Sequence, residues 1–202
     1  MLESSRLARP VLFLSTKGPG LTWFKFVLPI ILSLATCLYL YAYPKQLCLF
    51  GDGSLADGIF SFLQILPGFY IASLAAVSTF QGKMLDAPFD GIPITLKTRE
   101  NGTKVTKALT RRHFLSLLFG YLSFLSIMLS LYIQILNKTP PFVFLSSISL
   151  KNAAECASFF VLSLFFFQLI TITLLGLFYL SDRMHWKQKE EIVAPSHGPA
   201  SH

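Results

Sequence analysis

Four stretches of this chain contain no Asp, Glu, Lys or Arg: Phe26 to Pro44, Gly58 to Gly82, Phe114 to Asn137 and Cys156 to Ser181. A helix needs about 20 residues to cross the hydrocarbon core of a bilayer, so each stretch is long enough to span. Lipid offers no partners to peptide N–H and C=O groups, which restricts a spanning segment to a helix or a closed barrel. Barrel strands read as roughly ten-residue segments of alternating polarity, and no such alternation is present. Charged residues make up 13% of the chain, against roughly 25% in a soluble domain. The expected fold is therefore an all-α membrane protein with four transmembrane helices, over 26–44, 58–80, 114–136 and 156–181. The first of these follows a polar leader, 1–25, and no A-x-A-like cleavage site precedes Lys45, so it reads as a retained anchor and not a secretory signal.

Lys and Arg set the orientation, because cytoplasmic segments keep an excess of positive charge. The leader carries Arg6, Arg9, Lys17 and Lys25; the loop 81–113 carries Lys83, Lys97, Arg99, Lys104, Lys107, Arg111 and Arg112; the tail 182–202 carries Arg183, Lys187 and Lys189. The loops 45–57 and 137–155 hold only Lys45, Lys138 and Lys151, a split of 14 to 3. An N-in/C-in topology with both termini cytoplasmic follows. Trp23, Tyr39, Tyr41, Tyr43 and Trp186 stand near span ends, as interfacial aromatics do. Most of the net charge of +7 sits beside the spans, where anionic membrane lipids account for it. Direct contact with nucleic acid is not expected.

The loop 81–113 is the one cytoplasmic segment between spans long enough to fold. Ile94 to Arg99 and Thr103 to Ala108 flank Asn101-Gly102, the pair a type I′ turn favours because both central residues need positive φ. A small cytoplasmic β-hairpin between helices 2 and 3 is expected. An isolated hairpin is marginal in water, and the apolar run Val11 to Leu14, a strand or an interfacial foot, is available on the same side. Thr110 is placed to cap the third helix. Within the second span, Gly68, Ala72 and Ala76 recur at helical spacing and form a helix-packing face, since small residues let helices approach closely in lipid. Pro67 should kink that span. Gln168, near the middle of the fourth span, is expected to bond to another helix. Thr139-Pro140-Pro141 ends the third helix, and the apolar Phe142 to Leu150 is assigned to the outer interface. The tip of the tail is expected to be disordered.

Intramembrane acids and bases usually mark ion and proton pathways, and the four charge-free runs argue against a pump. Catalytic and phosphate-binding motifs are missing, and no cofactor or metal site is expected. The three cysteines lack metal-ligand spacing. Cys37 falls inside the first span, where a structural thiol is the default. Cys48 and Cys156 both fall in outer segments, where a disulfide between them and two unpaired thiols are both open. What remains is an oligomeric scaffold or sensor, or alternatively a small channel, for which Gln64, Gln134 and Gln168 are the polar lining candidates.

The blocks LQILPGFYIASLAAVSTF from Leu63 to Phe80, LDAPF from Leu85 to Phe89 and LTRRHFL from Leu109 to Leu115 resemble small membrane proteins of bacterial anti-phage islands. The likeness covers residues 60 to 126 and is greatest to the membrane subunit of the Kiwa defence system. The resemblance implies a homo-oligomer, a tetramer, in the bacterial inner membrane that responds to phage at the envelope. It would signal to a soluble cytoplasmic DNA-binding effector without chemistry of its own. Partner binding would then fall on the basic hairpin and helix edge: Lys97, Arg99, Lys104, Lys107, Arg111 and Arg112.

Overall fold

The computed structural model describes residues 9–18, 20–42, 49–51, 53–79, 94–100, 103–138 and 148–193. Four helical segments are long and apolar enough to cross a membrane: Trp23–Leu40, Leu55–Thr79, Arg111–Lys138 and Ala153–Leu180. A small antiparallel sheet accompanies them.

The leader does not form a strand over Val11 to Leu14. Arg9–Ser15 winds into 3₁₀ turns, and the next two residues, Thr16–Lys17, form the short strand β1. Gly20 then adopts φ +72°, a left-handed conformation that favours glycine, and turns the chain into the first span. That span opens with a π-helical turn, Trp23–Val27, which continues as α1, Leu28–Ala42. The second span is two helices, α2, Leu55–Leu63, and α3, Leu66–Thr79. The break at Gln64 and Ile65 follows from Pro67, whose ring has no N–H and clashes with the carbonyl four residues earlier, that of Leu63. Ser54 caps α2 by accepting from Asp57 N at 3.2 Å, and Gly51 and Gly53 precede it at φ 111° and 70°. The third span is α4, Arg111–Lys138, where Thr110 Oγ1 accepts from His113 N at 3.3 Å. The fourth lies within α5, Ile148–Val193. This helix runs on through the first part of the segment read as a tail. Residues 182–193 contain Met, Gln, Lys and Glu and neither Gly nor Pro, so nothing in their chemistry ends the helix.

The buried core centres on α4 and α5. Phe114, Leu118, Leu122, Ile133, Leu162, Leu169 and Ile172 are almost wholly inaccessible. Gly176 is the close-approach point: a Cβ there would stand 2.9 Å from Leu118 Cδ2. The α2–α3 span packs chiefly on α4 and α1 chiefly on α5. Tyr70, fully buried, reaches across to bond Thr173 Oγ1 at 2.6 Å, and Ser33 on α1 meets Ser163 on α5 with 2.9 Å between hydroxyl oxygens. Leu38, Ile65, Leu131, Ile135, Leu174 and Phe178 point outward, as a lipid-facing surface requires.

Between α3 and α4 stand β2, Thr95–Glu100, and β3, Thr103–Ala108. They pair antiparallel from Thr95↔Ala108 to Glu100↔Thr103, which leaves two residues, Asn101 and Gly102, for the connection. β1 adds to the other edge of β2 through Thr16↔Leu96 and Lys17↔Thr95. The third strand that a marginal hairpin needs thus comes from the residues just after the Val11 to Leu14 run. The turn itself, Cys48 and residues 139–147 with most of the Phe142 to Leu150 stretch lie outside the described residues.

Gly176→Val should lower stability by about 1–3 kcal/mol through overpacking against Leu118. Gly120→Ala, on a glycine with nothing within 4 Å of a built Cβ, should leave it unchanged. Apparent melting in mild detergent, followed by size-exclusion recovery after heating, distinguishes the two.

Candidate functional site: a buried lysine between the leader and the first span

Lys25 is the most informative side chain in the molecule. It lies within the first candidate span, Trp23–Leu40, and is 1% exposed. Counting only charge-free residues placed it as the last residue of the leader, so the first span was expected to carry no ionisable group. The leader instead folds back along α4, and protein surrounds Lys25.

An ammonium has three N–H donors and no acceptor, and here all three are used. Lys25 Nζ donates to Phe13 O at 2.7 Å, to Thr16 O at 2.9 Å and to Thr16 Oγ1 at 2.6 Å. Thr16 passes its own proton on to Phe13 O at 2.7 Å. The Phe13 ring presents its face to the ammonium at 4.4 Å, an electrostatic attraction to the π cloud worth about 0.5–2 kcal/mol. All of these partners are neutral. Taking an ammonium out of water costs several kcal/mol, and hydrogen bonds to a charged group return about 1.5–3 kcal/mol each. Lys25 can occupy this position only because the 3₁₀ turns and the first residue of β1 aim two carbonyls and a hydroxyl at one point. Phe13 is in turn fixed by Tyr121, stacked at 5.4 Å, and by Phe114 at 5.8 Å.

The backbone of the same turn is held from the other side. A π turn shifts the helical hydrogen bonds to i→i+5 spacing and leaves carbonyls open to outside donors. Gln168 Nε2 donates to Lys25 O at 3.1 Å, and Gln168 Oε1 accepts from Tyr121 Oη at 3.2 Å. Thr171 Oγ1 lies 3.0 Å from Phe24 O and 3.1 Å from Gln168 O, with one proton to serve both. Tyr121, Gln168 and Lys25 are therefore at one level. Tyr121 comes ten residues after the start of α4, which at 1.5 Å per residue puts that level about 15 Å along this helix.

A continuous chain of bonds results. From α5 it runs through Gln168 to the π turn, through the Lys25 ammonium to Thr16, across the β1–β2 pairing to Leu96, and through β3 and Leu109 back to α4. Leu109 N closes the last link by donating to Ile94 O at 2.9 Å. The first span and the sheet are thereby joined by direct hydrogen bonds.

The sheet holds four of the six basic residues read as a partner dock, Lys97, Arg99, Lys104 and Lys107. In the backbone register Lys97 pairs with Thr106 and Arg99 with Lys104. Lys107 pairs with Leu96, whose other neighbour is Thr16 of β1. Arg111 and Arg112 open α4, and Arg112 Nη1 donates to Ser78 O at 3.3 Å, joining the second and third spans. The helix-packing residues are also divided. Gln168 sits in the network above, whereas Gly68 and Ala72 are exposed and Ala76 half-buried, and a Cβ on Gly68 would meet nothing within 4 Å. Within this chain the second span packs through Leu63, Tyr70 and Val77 instead. Of the candidate disulfide, Cys156 is an exposed free thiol and Cys48 lies outside the described residues. Lys25 was missed because its sequence context, one basic residue at a span edge, is the ordinary pattern of a topology signal. No group of three or more potential metal ligands occurs among the described residues.

Comparison of the chain with protein-family models, with curated proteins and with solved structures finds no match.

Lys25→Met should free the leader from the bundle, because Phe13 O, Thr16 O and Thr16 Oγ1 all lose the ammonium and only Phe13 O keeps another side-chain donor, Thr16 Oγ1, at about 1–3 kcal/mol for each group left unsatisfied. Trypsin cleavage after Lys17, followed by mass spectrometry, should accelerate by tenfold or more while helical content stays the same. Unchanged cleavage would show that the ammonium does not hold the leader.

Proposed function

We propose that this chain is a non-enzymatic scaffold and sensor of the bacterial inner membrane, with both termini cytoplasmic, that relays events at the envelope to a soluble cytoplasmic partner. The observation that carries this reading is the bonded path from the first span, through Lys25 and Thr16, into the three-stranded sheet. A scaffold that only anchors has no need to bury an ammonium between a span and a sheet. A relay needs a stiff connection of this kind.

The three-stranded sheet, whose strands carry Lys17, Lys97, Arg99 and Lys104, is the proposed partner dock, with an acidic surface on the partner as its complement. The loops at the opposite end of the spans are the proposed sensing surface. The resemblance to the Kiwa membrane subunit adds antiviral defence, self-association as a tetramer and a DNA-binding effector as that partner. The outward-facing Gly68 and Ala72, left without a helix inside the chain, are suited to contact between copies. A channel is the second reading. Gln64 and Gln134 are exposed, whereas Gln168 is buried and engaged with Tyr121 and the first span, so the three do not form a free polar stripe in the protomer.

Deletion of Lys97 to Lys107 should abolish co-purification of the partner from mild detergent while the spans remain in the membrane fraction. Charge reversal of Lys97, Arg99 and Lys104 together should weaken capture at least tenfold. Retention of the partner by both variants would remove the sheet as the dock.

A further inference from the structure

Helices α1 and α5 run antiparallel, and their register is pinned at two levels. Gln168 Nε2 bonds Lys25 O, and Ser33 Oγ contacts both Phe160 O at 3.4 Å and Ser163 Oγ at 2.9 Å. Between Lys25 and Ser33 the first helix advances eight residues, and between Gln168 and Phe160 the second retreats by eight. One further turn, four residues along each, leads from Ser33 to Cys37 and from Phe160 to Cys156. Both cysteines are free thiols, Cys37 half-buried and Cys156 exposed. The serines in the preceding layer are small enough to let the backbones come close, and a disulfide needs Cα atoms about 4.4–6.8 Å apart.

We propose that Cys37 and Cys156 form a redox-convertible dithiol that cross-links the first and fourth spans at the end of the bundle away from the sheet. The reacting partner is a disulfide-bearing thiol oxidant. The exposed Cys156 thiolate attacks one sulfur of that disulfide and forms a mixed disulfide, releasing the first oxidant thiolate. The Cys37 thiolate then attacks Cys156 Sγ, closes the intramolecular bond and releases the second thiolate. Two electrons and the two thiol protons pass to the oxidant, which leaves as a dithiol. The new bond fastens α1 to α5 at one end while the Lys25 and Gln168 contacts hold the other, so the first span can no longer move independently of the fourth. The site stands on the helix register alone and is independent of the signalling role.

The chain has three cysteines, so the test must separate Cys37 from Cys48 as the partner of Cys156. The full-length protein is reduced in mild detergent, treated with diamide, which takes up two electrons and two protons per disulfide formed, then denatured and labelled with maleimide for mass spectrometry. Wild type should fall from three reactive thiols to one, and C48S from two to none, in a monomeric band on a non-reducing gel. C37S and C156S should each keep both remaining thiols. Two thiols surviving in C48S, thiol loss that persists in C37S, or a disulfide-linked dimer in place of the monomer would each overturn the assignment.

Discussion

A lysine ammonium can be removed from water at a membrane span only if its three protons all find oxygen acceptors, and the rest of this structure depends on how that condition is met around Lys25. The acceptors are Phe13 O, Thr16 O and Thr16 Oγ1, all supplied by twelve or fewer residues of preceding chain. Their convergence demands that the leader wind tightly, that Phe13 turn its ring under the charge, and that Gly20 reverse the chain. Those demands fix where Thr16 and Lys17 emerge, and so where β1 meets β2. The ammonium thus orders the leader, the leader completes the sheet, and the sheet leads through Leu109 into the start of α4.

The spans themselves are joined by a different set of forces. Between helices in lipid the apolar drive is small, and close packing with a few hydrogen bonds must suffice. The α4–α5 pair uses both, with Gly176 under Leu118 and Tyr121 on Gln168. Ser33 with Ser163 attaches α1, and Tyr70 with Thr173 ties in the second span. Each outer span hangs on one or two polar contacts per level, whereas the central pair is buried along its length. The first span is the one wired to the sheet.

The spanning segments were legible in the sequence because absence of charge over twenty residues is a physical requirement that leaves little freedom. The hairpin was legible for a similar reason: Asn101-Gly102 between two β-favouring runs admits few alternatives. The element ends were less so. Helix α4 begins at Arg111, ahead of the apolar run, because the Thr110 cap and not hydropathy sets its start, and α5 continues past Ser181 because its polar residues are good helix formers. The break before Pro67 was readable in kind. The position of Lys25 was not, because its burial depends on carbonyls of residues 13 and 16 whose direction no side-chain pattern encodes. The small residues of the second span illustrate the converse: Gly68 and Ala72 read as a packing face, yet inside the chain that face is open.

The central claim is that the leader and the hairpin stand on one side of the membrane, joined across the base of a four-span bundle. Single cysteines placed in a cysteine-free chain at Ser4, Gly51, Gly102, Thr139 and Ser201, labelled in intact cells with an impermeant maleimide, test it most directly. The account predicts labelling at Gly51 and Thr139 only, with Ser4, Gly102 and Ser201 reacting once the cells are opened. Labelling of Ser4 but not Gly102 in intact cells, or of Gly102 but not Ser4, would contradict it, because a leader and a hairpin on opposite sides cannot share a sheet.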